Sequence, residues 1–325
     1  MMKTAICCIA KCENDYIREW VEYHLSLGIT HIYIYDNNEV DGEFIEPVLT
    51  EYINKQVFIL SCRGKKAYQS TAYSEFHCSY GKNYDWIAYI DVDEFITLAG
   101  NSGFASLNEY LHSIKGFDII HINWMCYGDN DIEEHASNSV VGRFTKPLDF
   151  NKHIQYDFPE NNHVKSIIRG RLNLEGIKIV PHSPPGNYKI CDENGVARTE
   201  NSYFKPYSFD KIYIRHYTTK TISEWLKKIA RGRATVDSYP DLYPIEKFFK
   251  YNNETPGKRK IIDYYLFLDK VITNRTKTEL EILKKDLAVA TKELRKVTAE
   301  LQNIRRSKPY RLGKAILTPI SFLFK

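Results

Sequence analysis

Apolar residues follow two different periods along this chain, and each switch of period marks an element boundary. Thr4–Ala10 is almost continuously apolar, as expected of a strand buried on both faces, and Ile17, Trp20, Val21, His24 and Leu25 then recur at helical spacing as far as Gly28. The pattern predicts a second strand at His31–Asn37, a helix over Glu43–Asn54 and a third strand at Val57–Leu60. A helix over Lys66–Tyr80 and a fourth strand at 86–91 complete the first half. Alternating strand and helix implies an α/β fold with a mostly parallel, Rossmann-like sheet and helices on both faces. Ligands of such sheets bind beyond the carboxyl ends of the strands. Lys11 and Asn14, Asp36-Asn37-Asn38, Arg63 and Asp91–Asp93 all fall there.

Beyond residue 117 the rhythm loosens. Strand-like runs at Asp118–Tyr127, His163–Ile168, Ile177–Val180 and Lys211–Tyr217 are separated by polar loops with Pro and Gly, and are expected to extend the sheet and cover the cleft. Ile222, Trp225, Leu226 and Ile229 then space as a helix carrying Lys227, Lys228, Arg231 and Arg233. From Leu280 the pattern tightens into four heptads, with Leu280, Leu287, Leu294 and Leu301 at one position and Leu283, Ala290, Val297 and Ile304 at the other. Strict 3-4 spacing of this kind predicts a coiled-coil helix and a homo-oligomer. The division expected is therefore an α/β domain over 1–275, a coiled coil over 276–306 and a tail over 307–325.

The chemistry concentrates at Trp86-Ile87-Ala88-Tyr89-Ile90-Asp91-Val92-Asp93-Glu94-Phe95, where an apolar strand ends in three carboxylates within four positions. On a regular strand Asp91 and Asp93 would project to one side and repel each other. A divalent cation relieves that repulsion, and Mg²⁺ or Mn²⁺ held by one or two carboxylates completes its shell with substrate phosphates. The pattern points to a site for a nucleotide diphosphate. Read without a metal, the same acids begin a solvated turn; Phe95-Ile96 directly afterwards argues for flanking core instead.

The 325 residues are 43% hydrophobic, enough for a sizeable core. Seven cysteines at 7, 8, 12, 62, 78, 126 and 191 show no CxxC pair or zinc-finger histidine spacing, so reduced thiols in a cytosolic protein are expected. No signal peptide is expected, since Met1–Ala5 runs straight into a short apolar strand, and no apolar span of about 18 residues occurs in the sequence. The net charge of +4 conceals an asymmetry, since residues 305–325 alone hold six bases and no acid, and the rest sums to −2. Nucleic acid is therefore not expected as a partner of the body. The tail from Tyr310 to Lys325 mixes bases with large apolar residues, as suits an anionic membrane surface, with Pro309 and Pro319 limiting any helix there. The localisation expected is cytoplasmic, at the inner face of the plasma membrane.

Ala10-Lys11-Cys12-Glu13-Asn14, Glu19-Trp20, Tyr23-His24, Gly28-Ile29, Tyr35-Asp36-Asn37 and Asp91-Val92-Asp93-Glu94-Phe95, followed by Arg215-His216-Tyr217 and a helix with Lys228 and Arg231-Gly232, occur in a revealing order. Over residues 1–235 the chain resembles GT-A fold, nucleotide-sugar-dependent glycosyltransferases of the family-2-like and family-92-like bacterial group. The resemblance implies that Asp91 and Asp93 form a D-x-D motif holding Mn²⁺ or Mg²⁺, with Asp93 the direct ligand and His216 a late metal or phosphate ligand. It also implies nucleotide contacts from Lys11 and Asn14, base or ribose contacts from Asp36 with Asn37, and a phosphate contact from Arg63. The donor would be a UDP-sugar or another nucleotide sugar. The acceptor would be a glycan or lipid-linked glycan in surface polysaccharide synthesis. An inverting transfer needs a base; the Glu-Asp pair that marks it in many family-2 enzymes is absent here, leaving Asp129 with Asp131 first and Glu94 second. Two other readings compete. A metal-dependent nucleotidyltransferase would need a glycine-rich basic loop after the first strand, where none occurs. A coiled-coil scaffold that has lost activity would tolerate replacement of Asp93.

Overall fold

The computed structural model describes residues 2–133, 139–148, 160–198, 207–231 and 245–306. Its strands are β1 (Thr4–Ala10), β2 (His31–Asp36), β3 (Val57–Ser61), β4 (Trp86–Tyr89), β5 (Glu94–Leu98), β6 (Ile119–Cys126), β7 (Val164–Arg169), β8 (Ile190–Cys191), β9 (Ala197–Arg198) and β10 (Ile212–His216). The helices are α1 (Ile17–Ser26), α2 (Glu46–Leu49), α3 (Gln69–Tyr80), α4 (Leu107–Ser113), α5 (Val140–Arg143), α6 (Ile222–Arg231), α7 (Ile245–Tyr251) and α8 (Pro256–Arg306). One compact unit spans Met1–Ile261, and a second begins at Ile262.

The main sheet runs β3-β2-β1-β4-β7-β6-β10-β5. β3, β2, β1 and β4 are mutually parallel, β7 is antiparallel to β4 and β6, and β5 is antiparallel to β10. Continuous apolar strands are explained by the two cores they separate. Ile6, Cys8 and Ala10 of β1, Ile32 and Ile34 of β2, and Trp86 and Ala88 of β4 face one core with Trp20, Val21 and Tyr110. Their alternates Ala5, Cys7 and Ile9, Tyr33 and Tyr35, and Ile87 and Tyr89 face the other, with Tyr73 and Phe76 of α3. The expected fold class is therefore present, a mostly parallel sheet covered on both sides. All seven cysteines are free thiols, five of them buried.

Three expectations need correction. The helix expected over Glu43–Asn54 shrinks to Glu46–Leu49, because the Arg63 guanidinium takes the carbonyls of Glu39, Gly42 and Glu43 and holds that stretch as a loop. Ile177–Val180 is not a strand: β4 takes Ile167–Arg169 of β7, and the Ser166 amide on the same edge bonds the Pro181 carbonyl, just beyond the segment. Ser74 instead donates to the carbonyl of Ile177 and accepts from the amide of Ile179. The fourth strand ends at Tyr89, and the acids beyond it form a turn in which the Glu94 amide donates to the Asp91 carbonyl (3.1 Å) before β5 begins.

The heptads lie on a continuous 51-residue helix, α8, which starts well before the first of them. The basic, apolar tail lies outside the described residues, and among those residues no helix is long and apolar enough to cross a membrane.

Candidate active site

The acidic turn is fastened from below by α1. The Trp20 indole donates to the carbonyl of Glu94 (2.7 Å), and Tyr23 and Thr97 share a hydroxyl bond. His24 accepts from the amide of Ile96 through Nε2 and reaches the Trp20 carbonyl through Nδ1. Burial lowers its pKa to about 3, which keeps the ring neutral, as an acceptor on one side and donor on the other must be. Glu19 accepts from the amides of Val140 and Val141 at the start of α5. The Glu19-Trp20 and Tyr23-His24 pairs are thus braces, and three of these four residues hold β5.

Asp91 and Asp93 do not share a partner, because the chain turns between them. Asp91 accepts from Gln69 of α3 (2.8 Å) and Lys165 of β7 (2.6 Å). Asp93 accepts from Lys228 of α6 (2.8 Å) and lies 3.8 Å from His216 Nε2 at the end of β10. Glu94, wholly buried, accepts from the Asp91 amide (2.9 Å) and sits 3.2 Å from Lys165. Its carboxyl is pushed up to about 8, first by burial and then by the charges of Asp91 and Asp93, against the opposing pull of Lys165. Burial pushes Asp93 upward too, but Lys228, His216 and Lys220 outweigh it and hold its carboxyl well below the usual range. His216 is lowered to about 4 by burial.

One ligand atom from each of Asp93, Glu94 and His216 falls within 4.8 Å of the others, a grouping able to hold a cation. Glu94 Oε1 and His216 Nδ1 are buried and have no hydrogen-bond partner among the described residues. The orphaned Glu94 Oε1 carries a cost that a cation would remove, and His216 turns Nε2 toward Asp93, so the donor set fits one. Asp91 stands outside this group.

Beside it lies a pocket of about 430 Å³ between the β1–α1 loop, with Cys12, Glu13, Asp15 and Tyr16, and the segment from Thr218 to Arg231. Lys228 belongs to both, lining the pocket and bonding Asp93. Most of the other charges there are paired: Arg231 with Glu13 and with the Lys11 carbonyl, Lys227 with Asp15, Glu224 with Arg143. Lys220 is different. No carboxylate lies within ion-pair distance of it among the described residues, and its ammonium rests 4.1 Å over the Tyr16 ring. Cys12 and Lys220, on opposite rims, both hold the left-handed backbone (φ 52° each), which for non-glycine residues is uncommon and collects at functional loops.

The α6 rim is set by Glu224. With Thr221 it forms a capping box, accepting from the Thr221 amide and hydroxyl, and it also takes the Tyr16 hydroxyl (2.9 Å) and both Arg143 amino groups. Burial raises its pKa, yet the bonds from Arg143 and Thr221 win and leave the carboxyl far below its ordinary value. A depressed carboxylate stabilises the fold above its unfolded pKa of about 4.3 and loses that contribution as pH falls toward the folded value. Arg143→Met should therefore cost about 3–5 kcal/mol at pH 7, since it strands a buried charge. In urea unfolding the gap to the parent chain should narrow by pH 3, where Glu224 of the variant is neutral; a gap independent of pH would refute this account.

Other expected residues have local tasks. Lys11 pairs with Glu39, and Asn14 donates to the Phe44 carbonyl. Asp36 is buried against Arg63 (2.5 Å), while Asn37 donates to the Cys62 and Lys65 carbonyls. Asp129 is held by the fully buried Lys258 (2.5 Å), two residues beyond Tyr127, whose amide donates to the His216 carbonyl. Lys165 and Lys220 escaped the sequence reading. A lysine inside the apolar run Val164-Lys165-Ser166-Ile167-Ile168 was the available signal for the first, and none marks the second.

The model of glycosyltransferase family 92 matches residues 3–241. The chain belongs to this family. A family 92 protein of Oryza sativa subsp. japonica is 30% identical over 99 residues, 30% of this chain and 16% of its own length. One from Arabidopsis thaliana is 33% identical over 92 residues, 28% of this chain and 16% of its own length, so this chain spans about a sixth of these curated family members. Among solved structures, Drosophila β-1,4-galactosyltransferase 7 in complex with manganese, UDP-Gal and xylobiose is similar at 11% identity and a TM-score of 0.34, over 79% of this chain and 83% of that one. Residues 1–349 of S. aureus TarS in complex with UDP are similar at 11% identity and a TM-score of 0.33, over 52% of this chain and 47% of that one.

Proposed function

We propose that this family 92 chain is a metal-dependent glycosyltransferase that takes a sugar from a nucleotide diphosphate and passes it to a glycan or lipid-linked glycan. The observation that carries the reading is the cluster of Asp93, Glu94 and His216, with the buried Glu94 Oε1 orphaned, opening through Lys228 onto a pocket that Lys220 also lines. Asp93, Glu94 and His216 would hold the cation, Mn²⁺ or Mg²⁺, which supplies Lewis-acid stabilisation of the departing diphosphate. Lys228 and Lys220 are positioned to meet phosphate oxygens, one by exchanging its bond to Asp93 and one without giving up a carboxylate. The acidic turn, braced by α1, keeps these groups in place without rearrangement.

The proposal includes self-association through residues 276–306 and contact of the tail 307–325 with an anionic membrane surface, both supported by sequence pattern. A panel of UDP-, GDP- and dTDP-sugars, UDP-sugars first, tests the donor. One member should raise the melting temperature with Mn²⁺ and much less without it, since ligands that bind the folded state stabilise it by mass action. No shift and no donor hydrolysis across the panel would overturn the reading.

A further inference from the structure

Of the twelve large hydrophobic side chains that stand exposed among the described residues, nine lie on α8. Leu287 and Val297, which belong to the two apolar positions of the heptad, are 69% and 48% exposed. The 3-residue step from Leu280 to Leu283 and the 4-residue step to Leu287 fix the register, making Leu280, Leu287, Leu294 and Leu301 position a and Leu283, Ala290, Val297 and Ile304 position d. The flanking positions then carry information beyond self-association. Every g position is acidic, at Glu279, Asp286, Glu293 and Glu300. The e positions are Lys284, Thr291, Thr298 and Arg305, two bases and no acid.

We infer that residues 280–304 bind a second copy of this chain in parallel and in register. In a parallel pair each g residue faces the e residue of the following heptad on the other helix. Glu279 then meets the partner's Lys284, Glu300 meets the partner's Arg305, and the two remaining acids meet threonine. An antiparallel pair sets g against g and e against e, so all four acids would face acids and the bases would face bases. The charges therefore select one orientation twice over, by attraction in it and by repulsion in the other. The order of the chain adds a consequence: both C-terminal basic segments leave the coil at the same end and would reach one surface together.

Cross-linking of the full chain tests this, in a background with the exposed thiols removed by Cys12→Ser and Cys78→Ser. Leu280→Cys and Leu301→Cys are made separately with distinguishable tags, mixed, and oxidised. Covalent 280–280 and 301–301 products are expected with no 280–301 product, because 21 residues of helix separate those positions by about 32 Å. A 280–301 product, or no product together with a monomeric mass in light scattering, overturns the inference. A second pair leaves the apolar seam untouched: Lys284→Glu with Arg305→Glu should weaken association at least 10-fold, and mixing with a Glu279→Lys, Glu300→Lys copy should restore it. Association unaffected by the first pair also overturns it.

Discussion

Asp93→Asn should lower sugar transfer about 10³-fold with the fold intact, the rate equivalent of several kcal/mol of lost metal-borne stabilisation. The reason lies in what Asp93 touches. It is the buried carboxylate shared by the candidate cation group and by Lys228, and its low pKa keeps it charged at any working pH. Asn preserves the shape and can still accept from Lys228, so the effect isolates charge. Transfer assays run across an Mn²⁺ titration provide the check. A variant with parental turnover and parental metal dependence would remove Asp93 from the site and revive the scaffold reading.

The second large effect concerns Lys165. Its ammonium is 1% exposed and lies 2.6 Å from Asp91 and 3.2 Å from Glu94, whose attraction raises its pKa against the cost of burial. Lys165→Met removes the one cation between two carboxylates, and breaking a buried pair in this way costs about 3–5 kcal/mol. Urea unfolding should show that loss at pH 7. Adding Asp91→Asn should recover part of it, because the charge left without its lysine is then removed. Additive destabilisation by the two changes would show that they do not interact.

The parts of the fold that could be read from the sequence were those where periodicity and burial coincide. β1, β2, β3, β6, β7 and β10 each separate or border a core, so their apolar runs are long and their ends fall within about two residues of expectation. β5 was hidden because Glu94-Phe95-Ile96-Thr97-Leu98 follows a turn that looks, residue by residue, like the fraying end of β4. The loop before α2 was hidden because its cause, the Arg63 side chain, lies twenty residues or more downstream. The acids of the site were legible since they are adjacent; their counter-ions were not. Lys165 and Lys228 reach Asp91 and Asp93 from 74 and 135 positions away, and only the sheet order brings those strands and helices to one end.

The match of Asp91, Asp93 and Glu94 by Lys165 and Lys228 also decides when the pocket comes into being. A bare cluster of carboxylates would have to await its ion before the surrounding chain could close, as small zinc domains do. Here two internal ammonium groups pair with the three acids, Lys165 with Asp91 and Glu94 and Lys228 with Asp93, so the region can condense in the absence of any divalent ion. On the proposed metal-dependent mechanism, a chelator would then silence the protein and leave it folded, ready to be reloaded.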